Sequence, residues 1–240
     1  MPPASEPPTN QARMRENLAQ CQEAIGEAAK RAGRDPATVT LLAVTKYVEA
    51  SVIRDLYAAG GRDFGESRVQ RCVALDAELA DLSGIRWHLI GHLQRNKVRR
   101  ALQVIHSLHS LDSVRLATEI ERHAGETRPR VYIEVNVTRE PRKSGATEEE
   151  VEPLLRHIQT QGVLAPAGLM TLARRSEDPE SSRETFRRLR DLRDAFVAGG
   201  LLPEDAGLSM GMSNDFAVAV EEGSTVVRVG SRLFEGISPE

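Results

Sequence analysis

Short apolar runs alternate with longer amphipathic stretches from Thr38 to the end of the chain. A short apolar run bounded by turn residues is typical of a buried strand in a parallel sheet. The pattern predicts eight such strands, at residues 39–45, 63–65, 86–91, 104–108, 131–137, 165–169, 207–210 and 225–229. Eight strands interleaved with helices favour a single (β/α)8 TIM barrel of the α/β class over an open doubly wound sheet.

Helical spacing of apolar residues indicates the elements that cover the barrel. Segment 10–32 precedes the first strand and carries one apolar face: Leu18, Cys21, Ile25 and Ala29. Gly33 follows it at the position where a glycine commonly ends a helix. We therefore expect an extra N-terminal helix beside the barrel. Segments 148–161 and 181–198 show the same spacing and are predicted to be barrel-covering helices.

The composition agrees with one globular domain. The chain has 240 residues, of which 40% are hydrophobic, and its 32 basic residues nearly balance its 35 acidic residues. This length fits one large domain, and no break in composition divides it. We predict a barrel over 10–236, a disordered proline-rich N-terminal tail at 1–9 and a short C-terminal tail at 237–240.

Several classes of partner and location are disfavoured by the sequence. The net charge of -3 gives no electrostatic footprint for nucleic acid. No run approaches the ~20 apolar residues of a membrane span, and residues 1–10 lack the apolar core of a signal peptide. Cys21 and Cys72 are isolated, as free thiols in a reducing compartment are. We expect a cytoplasmic protein without nucleic-acid or membrane partners.

Lys46 stands at the carboxyl end of the first predicted strand. In a parallel barrel this end forms the rim on which binding and catalytic sites are built. A lysine at the rim is a candidate for binding a carbonyl compound as a Schiff base. The alternative is an ordinary lysine that extends from a strand end into water. This segment alone leaves both interpretations open.

Two turns rich in small residues follow the seventh and eighth predicted strands, at 208–215 and 226–231. In barrels a phosphate site commonly lies between these two loops, because backbone amides there point outward. The hydroxyls and glycines of the two turns are Ser209, Gly211, Ser213, Gly230 and Ser231. The alternative for the first turn is a helix N-cap formed by Ser213, Asn214 or Asp215.

Arg228 lies within an apolar strand, so its charge must find a partner or face a ligand. A buried structural ion pair is the alternative explanation. The histidines at positions 88, 92, 106 and 109 lack the spacing of a helical zinc motif, and no metal site is predicted. The sequence also lacks the glycine-rich dinucleotide loop, the nucleotide-triphosphate loop and the serine hydrolase elbow.

Ordered motifs near the strand ends give a more specific indication. They are Lys46, Phe64-Gly65-Glu66, His88-Leu89-Ile90-Gly91, Leu93-Gln94, Asn96-Lys97, Asn136, Lys143-Ser144-Gly145, Gly168-Leu169-Met170, Ser209-Met210-Gly211-Met212-Ser213 and Arg228-Val229-Gly230-Ser231. In this order, over about residues 10 to 236, they resemble the pyridoxal phosphate homeostasis protein family. The resemblance implies a barrel like the N-terminal domain of alanine racemase, with pyridoxal 5′-phosphate (PLP) held as an internal aldimine.

The resemblance also implies roles for individual residues. Lys46 would be the Schiff-base lysine, and Arg228 would face the pyridine nitrogen. Lys143 resembles a loop lysine near the site, and Ser67 stands where the family usually has Asn, which puts one cofactor contact in doubt. Because a free lysine amine is protonated at neutral pH, attachment further predicts a desolvated site or a nearby cation. The resemblance further implies that the phosphate is surrounded by Ser209, Ser213, Gly230 and Ser231. It also implies that the cofactor is lined by Asn136, Met170 and the strand of His88.

The residues and the resemblance together leave three functions open. The resemblance implies a non-enzymatic PLP carrier and regulator, predicted to be a monomer, with PLP-dependent apoenzymes as candidate recipients. Arg228 beside the ring nitrogen should keep the pyridine unprotonated and weaken it as an electron sink. A racemase needs a second proton-transfer group across the cofactor from Lys46, and no tyrosine is an obvious candidate. The third function is a scaffold barrel that binds another phosphate ligand or a protein.

Overall fold

A computed structural model describes residues 9–140 and 144–237. Eight parallel strands form a closed barrel in which each strand pairs with the next and the last pairs with the first. This confirms the predicted (β/α)8 barrel. The strands are β1 (Thr40–Val44), β2 (Asp63–Glu66), β3 (Arg86–Leu89), β4 (Ile105–Leu111), β5 (Arg130–Glu134), β6 (Ala165–Met170), β7 (Gly207–Met212) and β8 (Val226–Val229).

Helices surround the barrel, and all three predicted helical segments are present. Short 3-10 helices occur at Pro36–Thr38, Arg95–Lys97 and Pro179–Ser182. The α-helices of the described residues are α1 (Asn10–Arg31), α2 (Ala50–Ala58), α3 (Val69–Glu78), α4 (Val98–Ala101), α5 (Val114–His123), α6 (Glu148–Gln161), α7 (Arg183–Ala198) and α8 (Phe216–Glu221). Within this part of the chain, no helix combines the length and hydropathy needed to cross a bilayer.

The extra helix α1 covers the part of the barrel where the chain closes on itself. Thr9 caps it by accepting a hydrogen bond from the Ala12 amide, and Gly33 follows it with φ +66°. The helix packs against α2 and α8, and the Asn17 side chain donates to two carbonyls of the C-terminal segment, at Leu233 and Glu235. Thus α1 holds together the elements that follow β1, β7 and β8.

The tails are shorter than predicted where the structure describes them. Thr9, assigned to the N-terminal tail, is the N-cap of α1. Ile237, assigned to the C-terminal tail, packs against the core between α1 and the barrel. Residues 1–8 and 238–240 lie outside the described residues, so the disorder predicted for the N-terminal tail stays a prediction.

Several strand and helix boundaries differ from the sequence prediction. The strand predicted at 104–108 extends to Leu111, because buried polar residues continue it. The strand predicted at 131–137 ends at Glu134, and the chain then turns back so that Val135 pairs with Ala146. Helix α7 begins at Arg183 because a 3-10 turn occupies the preceding four residues. Each difference lies at an element end, where apolar patterns carry the least information.

Apolar side chains fill both the barrel and the space outside it. One small cluster contains one residue from each of β1, β5, β6 and β8: Leu42, Tyr132, Met170 and Val226. Two larger clusters lie between the strands and the helices. This packing makes the barrel interior a filled core, so a ligand site belongs at the rim formed by the strand carboxyl ends.

Candidate functional site

Lys46 lies at the barrel rim in a turn that follows β1. The preceding Thr45 anchors the turn, because its amide donates to the Gly65 carbonyl (3.0 Å) and its hydroxyl donates to Glu66 Oε1 (2.6 Å). The Lys46 side chain is exposed, and its Nζ lies 4.8 Å from the centroid of the Tyr47 ring. The Lys46 amine is therefore not desolvated in this structure, because the strand ends at Val44 and Lys46 lies in the exposed turn after it. A nearby cation, the other expected feature, stays a prediction.

The turns after β7 and β8 are joined by a hydrogen bond from the Gly230 amide to Ser213 Oγ (3.1 Å). The alternative helix-cap role does not apply to Ser213, since Asp215 is the residue that precedes α8. Asp215 accepts hydrogen bonds from the Met212 amide (2.6 Å) and the Ser182 hydroxyl (2.8 Å). Ser213 thus connects the two turns predicted to hold a phosphate.

Glycines allow these turns to approach their neighbours closely. Gly211 has φ +92°, and a Cβ built on it would lie 2.5 Å from Ala219 Cβ and 2.9 Å from Phe216 Cα. A side chain at Gly230 would lie 3.4 Å from Val44 Cβ. Because Gly230 borders the end of β1, the structure brings the base of the Lys46 turn beside the joined turns. Ser231 follows Gly230 at the exposed rim.

Arg228 is buried on β8 and faces the barrel interior. Its Nη1 donates to the carbonyl and the hydroxyl of Ser209, both at 2.7 Å, and its Nη2 donates to the Thr171 carbonyl at 2.8 Å. These bonds use three of the five N–H groups of a guanidinium, so two remain without a partner in residues 9–140 and 144–237. Such donors fit an aromatic nitrogen or another uncharged acceptor.

The charge of Arg228 is not neutralised by a buried ion pair. No carboxylate of the described residues lies within salt-bridge distance of it, and its hydrogen-bond acceptors are uncharged. Burial lowers the pKa of Arg228 to about 10, while Asp215 and Glu134 act in the opposite direction. The guanidinium is therefore a cation at neutral pH, and the structure favours a ligand-facing role over a structural ion pair.

Three other predicted contacts lie apart from the joined turns. Ser209 is buried within β7 and contacts Arg228. Met170 belongs to the apolar cluster inside the barrel. The Asn136 side chain closes its own loop, donating to the Glu140 carbonyl at 2.9 Å and accepting from the Glu140 amide at 3.2 Å. Their cofactor contacts stay predictions, and Lys143 lies outside the described residues.

Comparison with known proteins identifies the family. The profile of the alanine racemase N-terminal domain matches residues 9–239. The pyridoxal phosphate homeostasis protein of Pseudomonas aeruginosa is 40% identical, over 91% of this chain and 94% of the relative. That of Aquifex aeolicus is 41% identical, over 91% and 96%. This chain belongs to the pyridoxal phosphate homeostasis protein family. The resemblance found in the motifs is thereby confirmed.

A solved structure supports the same family assignment. PipY of Synechococcus elongatus, solved with PLP bound, is 35% identical to this pyridoxal phosphate homeostasis family member. The match covers 92% of this chain and 99% of PipY, with a TM-score of 0.81. The near-complete coverage of both chains shows that the two proteins share the whole barrel rather than a fragment of it.

Two buried carboxyls lie at the rim of this family member. Glu66 belongs to one of the sequence motifs but was given no role, and Glu134 was missed. Glu66 ends β2 and lies near Arg71, with 3.5 Å between Glu66 Oε1 and Arg71 Nε. Glu134 ends β5 and accepts a hydrogen bond from the Ser144 hydroxyl (2.6 Å). Burial raises the pKa of both carboxyls. The sequence feature that could have indicated both carboxyls is an acidic residue at the carboxyl end of a buried strand.

Glu134 bears on the question of catalysis. In the closed eight-strand order, β5 lies opposite β1, so Glu134 stands across the rim from the Lys46 turn. A buried carboxyl with a raised pKa is a type of group that serves in proton transfer. The barrel therefore contains one group of the kind that the racemase alternative requires.

Proposed function

We propose that this chain binds PLP at the rim between β1, β7 and β8, attached to Lys46, and that it serves in vitamin B6 homeostasis. The observation that carries the proposal is the Ser213–Gly230 hydrogen bond, which joins two turns beside the base of the Lys46 turn. Family membership and the PLP-bound structure of PipY support it. When bound, the cofactor supplies an aldehyde that condenses with a primary amine.

Each chain element then has a separate task. The joined turns would offer backbone amides and hydroxyls to the phosphate, with the Ser213 and Ser231 hydroxyls as donors. The Gly230 amide already donates to Ser213 Oγ, so Gly230 would line the site and orient that hydroxyl. Arg228 would direct an unpartnered N–H group at the ring nitrogen and, as a cation, would disfavour protonation of that nitrogen. Asn136, Met170 and the His88 strand complete the proposed lining.

The exposure of Lys46 suits a carrier. An amine reachable from water is also reachable by a competing amine, so attached PLP can be exchanged rather than sealed in. Enzymes that use reactive intermediates usually exclude water from the site. We therefore propose a non-catalytic role, with apoenzymes that need PLP as recipients, in a cytoplasmic monomer. The buried free thiols of Cys21 and Cys72 support a reducing compartment.

Amino-acid racemisation is the second candidate, and Glu134 is the observation that favours it. Incubating the PLP-loaded protein with amino acids in heavy water and following Cα proton exchange by NMR separates the two functions. The carrier proposal expects no exchange above that of free PLP. Exchange at the ~1 s⁻¹ or faster rates typical of enzymes would support the racemase.

Titration with PLP, followed by visible absorbance, tests the binding site. The wild type should develop the absorbance of lysine-bound PLP, and Lys46→Ala should not, although its fold stays intact. Lys30→Ala is the matched control, because Lys30 is also an exposed lysine but lies in the last turn of α1. If Lys46→Ala develops the same absorbance with the same stoichiometry, Lys46 is not the attachment site.

A further inference from the structure

A continuous line of buried polar side chains crosses the barrel interior below Arg228. All six of its members are at most 9% exposed. Successive contacts measure 2.7, 2.8, 2.9, 2.7 and 2.9 Å. The members, in order from β8 to β2, are Arg228, Ser209, His109, Ser107, His88 and Asp63. We call this line the interior relay.

The hydrogen bonds of the interior relay can all be donated in one direction, from Arg228 towards Asp63. Arg228 can only donate, so Ser209 Oγ accepts from it, and the Ser209 proton is directed at His109 Nδ1. A neutral His109 with an acceptor Nδ1 carries its proton on Nε2, which donates to Ser107 Oγ. The argument repeats at the next step: Ser107 accepts from His109, so its proton is available for His88 Nδ1, which also lies 3.1 Å from His109 Nε2.

The far end of the relay fits the same direction. His88 Nε2 then donates to Asp63 Oδ1, and Asp63 also receives a fork of two hydrogen bonds from Arg86 (2.7 and 2.5 Å). Burial alone would raise the pKa of Asp63, but the bonds from His88 and Arg86 outweigh it and lower the pKa to about 2. Asp63 is therefore an ionised acceptor, as the direction requires.

From this arrangement we propose that Ser209 and His109 are positioning residues, which fix the Arg228 guanidinium beneath the cofactor ring through the interior relay. The inference rests on the proposed PLP site and deepens it. It assigns Ser209 to the ring side of the cofactor, whereas the family resemblance had placed this serine around the phosphate.

Protonation of His109 would break this order. An N–H at Nδ1 would point at Ser209 Oγ, so the Ser209 proton would lose its acceptor on His109, and a second cation would then lie beside the guanidinium. The groups that face His109 are His88 from β3, Tyr132 and Arg130 from β5, Ser209 from β7 and Arg228 from β8, with His106 on its own strand. Apart from the hydroxyls of Ser209 and Tyr132, these groups are bases or cations, so they disfavour a positive charge on His109.

Comparing the binding of PLP with that of pyridoxal tests the role of Ser209 directly. Pyridoxal has the same ring and aldehyde as PLP but no phosphate. Ser209→Ala should weaken covalent binding of both ligands by a similar factor, on the order of 10-fold for a lost hydrogen bond to a charged group. Ser209→Thr, which keeps the hydroxyl, should restore both. Ser213→Ala is the matched comparison, and it should weaken PLP more than pyridoxal.

A larger loss for PLP than for pyridoxal in Ser209→Ala would overturn the proposal, since Ser209 would then contact the phosphate. Histidine side-chain 15N NMR on the full chain without ligand gives a second, ligand-independent test. We expect His109 to be neutral, with its proton on Nε2. A proton on Nδ1 of His109 would also overturn the proposal. If the wild type binds neither PLP nor pyridoxal, the proposed PLP site is refuted. The NMR measurement needs no ligand, so it still tests the hydrogen-bond order of the relay.

Discussion

Gly211→Ala tests whether close packing of the β7 turn on α8 shapes the site. The substitution places a Cβ 2.5 Å from Ala219 Cβ and 2.9 Å from the Phe216 backbone, at φ +92°. A left-handed conformation costs a residue with a side chain about 1–2 kcal/mol, and overpacking typically adds about 1–3 kcal/mol. We therefore expect a loss of unfolding free energy of about 2–5 kcal/mol.

Gly223→Ala is the matched control for Gly211→Ala. Gly223 also has a positive φ, +101°, but a Cβ there would meet only side-chain atoms at 3.5 Å or more. The control should therefore lose only about 1–2 kcal/mol, from backbone strain. Urea unfolding measures both losses, and PLP affinity should fall with Gly211→Ala because the Ser213 turn is displaced. Equal losses for the two variants would refute the close-packing argument.

Three further predictions concern the site. Ser213→Ala should weaken PLP binding by about 1 kcal/mol and pyridoxal binding less, as absorbance titration will measure; equal losses would mean that Ser213 does not serve the phosphate. Burial holds the pKa of His109 well below its usual 6.5, so the unfolded chain binds more protons and stability should fall as the pH drops below about 6.5. Urea unfolding at several pH values should show a smaller fall for His109→Gln. Glu134→Gln should leave Cα exchange in heavy water at the level of free PLP; a wild-type rate that this variant abolishes would support the racemase.

The fold was predictable because the apolar runs of this chain coincide with strands. The run at 39–45 became β1 at Thr40–Val44, and the spacing at 148–161 matches α6 at Glu148–Gln161. Parallel strands buried on both sides show as continuous apolar segments, which a pattern of hydrophobic residues detects. The order of eight strands and their helices then left few architectures to choose from.

The interior relay could not be predicted, because polar residues interrupt the apolar pattern that reveals strands. The predicted fourth strand stopped at residue 108, yet His109 and Ser110 are buried and continue β4. Their burial depends on partners from other strands, such as Ser209 on β7, which lies 100 residues away. A hydrogen-bond network of this kind is set by the closed barrel and has no local sequence pattern.

Some features of the site also could not be predicted, because they depend on the folded structure rather than on local sequence. The rim position of Lys46 followed from the end of an apolar run, but its exposure depends on where the strand stops and the turn begins. Asn136 has a polar amide suited to a ligand, and the structure shows that its own loop uses that amide. Glu134 became a candidate only when the closed strand order placed it across the barrel from β1.

Borohydride reduction of the PLP-loaded protein, followed by peptide mass spectrometry, tests the central claim most directly. Reduction converts a labile lysine attachment into a stable one, so the labelled residue can be identified. We predict a single major PLP adduct on Lys46, with a stoichiometry near one per chain. A major adduct on Lys143, or on any lysine other than Lys46, would contradict the site proposed at the β1, β7 and β8 rim.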